Sequence, residues 1–266
     1  MKRNNDLIEV FIDTREKYRG EFNQDTEILI NNHTKVFDEP IADTQFMPHP
    51  KMPNKNMTID VVRGGTVSTG QKYIKQGTVA ILNFADAITP GGLLLSGATT
   101  QEENICRCSN LYASISSMAA EKYYNDNAKS DISNAGVYTD DVIYSKDVLF
   151  FKDDESYSTV PAYHMDVITC PAPSVSTTEK RIYDRVEKII KVAALMKVDT
   201  LILGAWGCGA FGQNPEIVSQ AFKSALDKYP AFGRVVFAIR GSDEYESKKS
   251  DNNYMAFERT FKGALI

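Results

Sequence analysis

Three short, continuously apolar runs place the strongest constraint on how this chain can fold. They are Thr78–Phe84 (TVAILNF), Thr200–Trp206 (TLILGAW) and Arg234–Ile239 (RVVFAI). Each has the length of a strand, and the lack of polar alternation is typical of strands that are buried on both faces of a sheet. Such a sheet needs helices on both sides, so the runs favour an α/β domain.

Helical patterns lie between these runs. Ser176 and Glu179 have the spacing of a capping box at the start of one helix, and Asn214 as N-cap with Pro215 in the first turn predicts another. The apolar stripe of the first helix consists of Ile182, Val186, Ile189, Ala193 and Met196. This alternation predicts a three-layer α/β/α domain with a mixed, at least partly parallel sheet.

The segment between the first two runs is also patterned. A stripe at helical spacing predicts one core-facing helix; it consists of Ile105, Cys108, Leu111, Tyr112, Ile115 and Met118. Residues 137–154 alternate short strand-like runs with polar turns, and residues 163–170 (YHMDVITC) predict a strand. Residues 1–57 end in a proline-rich stretch and predict an irregular N-terminal extension that packs on a main domain of residues 58–266.

Charge and composition argue against several classes of protein. The formal net charge of −5 and the pI near 5.4 argue against a general nucleic-acid-binding or membrane surface, although a local anion pocket is compatible with them. The N-terminus has no apolar run of signal-peptide length, and no segment has the length of a membrane span. We therefore expect a cytoplasmic protein.

The cysteines and histidines do not have the spacing of a metal site. Cys106 and Cys108 are too close for zinc-finger geometry, Cys170 and Cys208 stand alone, and the three histidines have no ligand partner nearby in sequence. Buried, reduced cysteines are the expected state, ahead of a disulfide or metal site.

Two glycine-rich loops follow two of the predicted strands. The first is TPGGLLLSGATTQEE, residues 89–103, and the second is GAWGCGAFGQNP, residues 204–215. Ligands in such sheets bind beyond the carboxyl ends of strands, and backbone N–H groups at a helix start favour phosphate. Neither loop fits the dinucleotide or P-loop fingerprint. Each could be only a tight turn, but the pair, with Phe211 available to stack on a ring, favours a nucleotide diphosphate.

Glu102 and Glu103 stand at a helix start after the first loop. Neighbours on a helix point about 100° apart, so they cannot form an opposed glycosidase pair. One could reach a scissile bond while the other binds hydroxyl groups. The commoner reason for two acidic residues at this position is electrostatic stabilisation of the helix N-terminus, and the pattern alone does not decide between these readings.

The two motifs together resemble those of poly(ADP-ribose) glycohydrolase, in particular the short microbial type, which is built on a macrodomain. The resemblance covers roughly residues 78–112 and 200–239, and it includes LNFA before the first loop and CRCSNLY after it. The matching residues of the first motif are Gly91, Gly92, Gln101, Glu102 and Glu103. Two positions depart from the family pattern: Leu93 replaces the third glycine, and Asp86 replaces an asparagine that contacts the ribose.

The resemblance implies a macrodomain-like fold and a hydrolase that releases ADP-ribose without a metal or other cofactor. It implies that Glu103 acts on the glycosidic bond, that Glu102 binds the ribose hydroxyls and that Gln101 helps to position the loop or the ribose. The implied substrate-binding residues are Asp86, Gly91, Gly92, Gln101, Gly207, Cys208, Gly209, Ala210, Phe211 and Gly212. A non-catalytic ADP-ribose-binding module is the alternative, and a nucleic-acid-binding protein is disfavoured by the charge.

Overall fold

The computed structural model describes residues 4–43, 57–134, 138–174, 178–240 and 247–262. Within these ranges, seven strands form one mixed sheet in the order β1-β4-β5-β3-β6-β7-β2. The strands are β1 Thr34–Phe37, β2 Thr58–Arg63, β3 Val79–Phe84, β4 Val142–Lys152, β5 Thr159–Cys170, β6 Thr200–Leu203 and β7 Arg234–Ile239. Strands β5, β3, β6, β7 and β2 are mutually parallel, and β4 pairs antiparallel with β5 and β1.

Helices cover both faces of this sheet, as the three-layer prediction requires. The helices are α1 Asn4–Arg19, α2 Asn23–Ile28, α3 Thr66–Gln71, α4 Gln101–Cys108, α5 Leu111–Ile115, α6 Met118–Asn134, α7 Glu179–Leu195, α8 Pro215–Lys228 and α9 Ser247–Phe261. Side chains of α7, α8 and α9 pack on one face of the sheet, and side chains of α1, α3, α4, α5 and α6 pack on the other. The α/β/α architecture is confirmed.

Local signals predicted several boundaries closely. Strand β7 has the predicted bounds, β3 begins one residue late and β6 ends at Leu203 rather than Trp206. The Asn214 side chain accepts a hydrogen bond from the Glu216 N–H, as expected of an N-cap. The predicted capping-box residue Ser176 lies outside the described residues, and α7 begins after Thr178, whose side chain makes no capping bond.

The N-terminal segment is not irregular where the structure describes it. Helix α1 buries Leu7, Phe11, Thr14 and Tyr18 on one stripe, and β1 is an edge strand of the sheet. The prediction failed because one stripe position is a threonine and the rest of the helix is rich in charged residues, so the apolar periodicity is weak. The division of the chain at residue 57 stays a prediction.

The stripe predicted as one helix is divided among α4, α5 and α6. Ser109 is extended and forms an isolated bridge with Phe150, which ends α4. Met118 is 89 % exposed, so it does not face the core.

The region predicted as several short strands contains one long strand, residues 142–152, with an irregularity where Asp147 has a φ of 53°. No helix in the described ranges is long and apolar enough to cross a bilayer.

Candidate active site

The two glycine loops lie at the same edge of the sheet. Strand β3 pairs in parallel with β6, so the carboxyl ends of both strands point the same way. In the structure, the first glycine loop spans residues 85–100, because β3 ends at Phe84 and α4 begins at Gln101. The second glycine loop spans residues 204–214, between the end of β6 and the start of α8 at Pro215. This is the position at which ligands bind in open α/β sheets.

Glu102 is a buried carboxyl group at this edge, with only 2 % of its surface exposed. It accepts hydrogen bonds from the Asp86 N–H at 2.7 Å and from Asn83 Nδ2 at 3.2 Å. The pKa of Glu102 is raised from 4.5 to about 8, chiefly by burial and to a smaller extent by the charges of Glu103 and Asp86, while the two hydrogen bonds act in the opposite direction. The Glu102 carboxyl group therefore retains its proton near neutral pH.

Glu103 is 3 % exposed and is bound by the two ends of one loop segment. Its Oε1 accepts from the Leu93 N–H at 3.0 Å, and its Oε2 accepts a short hydrogen bond from the Thr100 hydroxyl. Among the described residues, neither glutamate accepts a hydrogen bond from the first turn of α4. Apart from the Thr100 hydroxyl at the N-cap of α4, the hydrogen bonds to these carboxyl groups come from β3 and the glycine loop, which counts against a purely helix-stabilising role.

Gly92 brings the backbone of the loop onto both carboxylates. A Cβ atom built on Gly92 would lie 2.8 Å from Glu103 Oε1 and 3.2 Å from Glu102 Oε2, and its φ is 58°. Gly91 has a φ of 72°, and a Cβ there would lie 3.0 Å from the Tyr112 ring. Both positions need glycine because space is lacking and the backbone is left-handed.

Gln101 joins α4 to the end of β3. Its Oε1 accepts from the Phe84 N–H at 2.8 Å, and its Nε2 donates to the Leu82 carbonyl at 2.7 Å and to the Thr66 hydroxyl at 3.1 Å. These bonds fix the start of the helix that carries both glutamates. The expected role of Gln101, positioning the loop or the ribose, stays a prediction.

The two departures from the family pattern have local structural roles. The Asp86 carboxylate accepts from the N–H groups of Ile88 and Thr89, which shapes the turn before the glycines. Leu93 has an ordinary φ of −94° and a side chain that is 63 % exposed, so neither its backbone nor its packing requires glycine.

The second glycine loop packs against the segment that follows β5. A Cβ on Gly207 would lie 2.7 Å from the Ala172 Cβ, Gln213 Nε2 donates to the Pro173 carbonyl at 2.6 Å, and Trp206 Nε1 donates to the Cys170 carbonyl at 3.0 Å. The other predicted residues of this loop differ in exposure. Cys208 is buried, Phe211 is partly buried against the core beneath α7–α9, and Gly209, Ala210 and Gly212 are exposed.

Sequence reasoning missed several residues that build the site. Asn83 and Thr100 contact the glutamates directly, whereas Trp206 and Gln213 orient the second loop. The sequence contained a recognisable signal for two of them, Asn83 and Thr100. Asn83 is a polar residue inside an apolar strand, and Thr100 begins a TQEE sequence that has the capping-box pattern.

The raised pKa of Glu102 predicts a pH-dependent stability difference between the protein and its Glu102→Gln variant. Because the folded-state pKa of about 8 exceeds the ordinary 4.5, the folded parent binds this proton more tightly, and its stability falls as pH rises between these values. Glutamine does not titrate. The variant should therefore gain stability relative to the parent between pH 5 and 8, by at most about 1.4 kcal/mol per pH unit.

Thermal melts at pH 5 and pH 8 measure this difference. Glu27→Gln, at an exposed glutamate that accepts a hydrogen bond from Asn31, provides a control substitution of the same type outside the site. A Glu102→Gln offset from the parent that stays constant between pH 5 and pH 8 would contradict the raised pKa.

Comparisons with known proteins point to one family. A family model described as the catalytic domain of microbial-type PARG matches residues 10–153. The chain is similar to poly(ADP-ribose) glycohydrolase (PARG) from Deinococcus radiodurans in complex with ADP-ribose, with 29 % identity, a TM-score of 0.79 and coverage of 91 % of this chain and 98 % of that chain.

It is also similar to PARG from Thermomonospora curvata bound to the inhibitor ADP-HPD. The identity is 26 %, the TM-score is 0.78, and the match covers 97 % of this chain and 100 % of that chain. No curated protein matches the chain.

Proposed function

Since the chain belongs to the family of microbial-type PARG catalytic domains, we propose that it is a glycohydrolase that releases ADP-ribose from ADP-ribosylated substrates. The observation that carries this proposal is the buried pair Glu102 and Glu103, bound by backbone N–H groups of a glycine loop at the sheet edge. The bond cleaved is the glycosidic bond at the ribose anomeric carbon, between two riboses or between a ribose and its target.

In the proposed reaction, the carboxyl group of Glu103 protonates the departing oxygen while the bond to the anomeric carbon breaks. The ionised Glu103 then takes a proton from the water that attacks the oxocarbenium-like centre, which restores the acid and releases ADP-ribose. Ribose hydroxyls that donate to Glu102 favour its ionised form.

The glycine loops would bind the diphosphate. Exposed backbone at Gly209, Ala210 and Gly212 stands before α8, and a helix start favours an anion. Gly91, Gly92 and Asp86 would border the ribose on the other side, and Phe211 would pack on a ligand ring.

We infer a cytoplasmic location, which is supported by four free, buried cysteines. We also infer that the protein does not bind nucleic acid in general, which is supported by its negative net charge.

A non-catalytic ADP-ribose-binding module is the second candidate. It is favoured by Leu93 and Asp86, which differ from the family pattern. Because Leu93 still donates its N–H to Glu103 and Asp86 still donates its N–H to Glu102, the contacts to both carboxyl groups are present with these residues. We therefore rank the enzyme first.

The decisive experiment incubates the protein with poly- and mono-ADP-ribosylated protein and measures released ADP-ribose. We expect release, and we expect free ADP-ribose to raise the melting temperature, because a ligand at 100 times its Kd stabilises the native state by about 2.7 kcal/mol. A melting shift without release would support the binding module. Neither release nor shift would contradict both candidates.

A further inference from the structure

Arg107 is a fully buried cation on α4, four residues after Glu103. Its Nε donates to the Leu7 carbonyl at 3.2 Å and its Nη2 to the Ala98 carbonyl at 2.5 Å. In the described part of the chain, Nη1 has no hydrogen-bond partner, and no carboxylate pairs with the guanidinium. Burying a charge without an ion partner destabilises the folded state, so Arg107 is not explained by a gain in stability.

The two carbonyls that Arg107 binds belong to different parts of the fold. Leu7 lies on α1, and Ala98 lies in the first glycine loop. The preceding residue, Gly97, has a φ of 74°, and a Cβ there would lie 2.8 Å from the Asn4 Cα. The middle of the loop is therefore in direct contact with the N-terminal turn of α1. The Arg107 guanidinium stabilises this contact by donating hydrogen bonds to a carbonyl on each side of it.

This contact lies inside the loop segment that binds Glu103. Both hydrogen bonds to the Glu103 carboxyl group come from this segment, one from the Leu93 N–H at its start and one from the Thr100 hydroxyl at its end. The Ala98 N–H also donates to the Leu93 carbonyl at 3.3 Å. A displacement of Ala98 therefore moves the donors that orient the carboxyl group.

We propose that Arg107 is a positioning residue of the reaction: by binding the Ala98 and Leu7 carbonyls together, it fixes residues 93–100 against α1 and so fixes the orientation of Glu103. This inference rests on the proposed function. It also gives α1 a role in the reaction, as the element against which residues 93–100 are fixed.

Lys152 provides a matched control, because it is a second buried cation that binds α1. Its Nζ donates to the Val10 carbonyl at 3.0 Å and to the Thr14 hydroxyl at 2.8 Å, and it pairs with Asp13 at 2.6 Å. None of these partners belongs to the first glycine loop. Thr14 in turn donates to the backbone carbonyl of Arg107 at 2.7 Å, so loss of Lys152 should weaken the attachment of α1 to α4 while the guanidinium of Arg107 keeps its bonds to the Leu7 and Ala98 carbonyls.

The experiment compares kcat, KM, the Kd of free ADP-ribose and the melting temperature for the parent, Arg107→Met, Arg107→Lys and Lys152→Met, at a temperature where all are folded. For Arg107→Met we expect kcat to fall by about 10- to 50-fold, because small displacements of catalytic groups have effects up to about 10²-fold, with little change in Kd. Arg107→Lys keeps the charge and one of the two bonds, so it should recover part of this loss. Lys152→Met should lower the melting temperature but keep kcat.

Gly97→Ala supplies an independent route if Arg107→Met does not fold. Its methyl group would push the loop away from Asn4, so it should lower kcat in the same way. A kcat near that of the parent in Arg107→Met, or in both Arg107→Lys and Gly97→Ala, would overturn the positioning role. An equal loss of kcat in Lys152→Met would also overturn it. A parent that releases no ADP-ribose would instead contradict the proposed function and, with it, this role.

Discussion

Glu103→Gln should lower the rate of ADP-ribose release by about 10⁴-fold, because one residue that serves both as acid and as base should reach the upper end of the usual range for such assistance. The amide cannot protonate a leaving oxygen or accept a proton from water. Folding should be preserved, since the amide oxygen can still accept from the Leu93 N–H and the Thr100 hydroxyl can rotate to accept from the amide nitrogen.

The measurement is single-turnover release from a poly(ADP-ribosyl)ated protein, together with the Kd of free ADP-ribose. Glu102→Gln is the matched comparison. Its amide can still bind ribose hydroxyls, so the rate of release should fall less in this variant than in Glu103→Gln. Similar rates for the parent and Glu103→Gln, with folding confirmed by circular dichroism, would refute the assignment of Glu103. A loss in Glu102→Gln as large as in Glu103→Gln would refute the division of roles.

Gly92→Ala should reduce release by about a hundredfold or more, because the added methyl group would lie 2.8 Å from Glu103 Oε1 and 3.2 Å from Glu102 Oε2. Both carboxyl groups would have to move. The left-handed backbone at this residue adds a conformational cost of about 1–2 kcal/mol, so the melting temperature should also fall.

Gly20→Ala is the control for a general effect of replacing a glycine. Gly20 lies between α1 and α2 without a left-handed φ, and its added Cβ would lie 3.2 Å from the Glu16 carbonyl. Release by this variant should stay close to that of the parent. If Gly92→Ala kept the parental rate, the glycine loop would not define the position of the carboxyl groups.

Features that depend on neighbouring residues could be predicted from the sequence. The apolar runs that became β3 and β7, the Asn214 cap of α8 and the two glycine loops are all encoded within a few residues. Because two parallel buried strands end at one edge, the sequence also predicted that the loops would lie together. The motif residues Gly91, Gly92, Gln101, Glu102 and Glu103 lie in the first of these loops and at the start of the helix that follows it.

Contacts between distant residues were decided only by the tertiary structure. The burial of Glu102, which raises its pKa, and its hydrogen bonds from Asn83 and the Asp86 N–H, which lower it, exist only in the folded chain. The end of α4 at Ser109 depends on a bridge to Phe150, and the loop that binds Glu103 lies on α1 through the contact of Arg107 with Leu7, 100 positions away. No local pattern carries this information, since each contact needs the closed chain to bring its partners together.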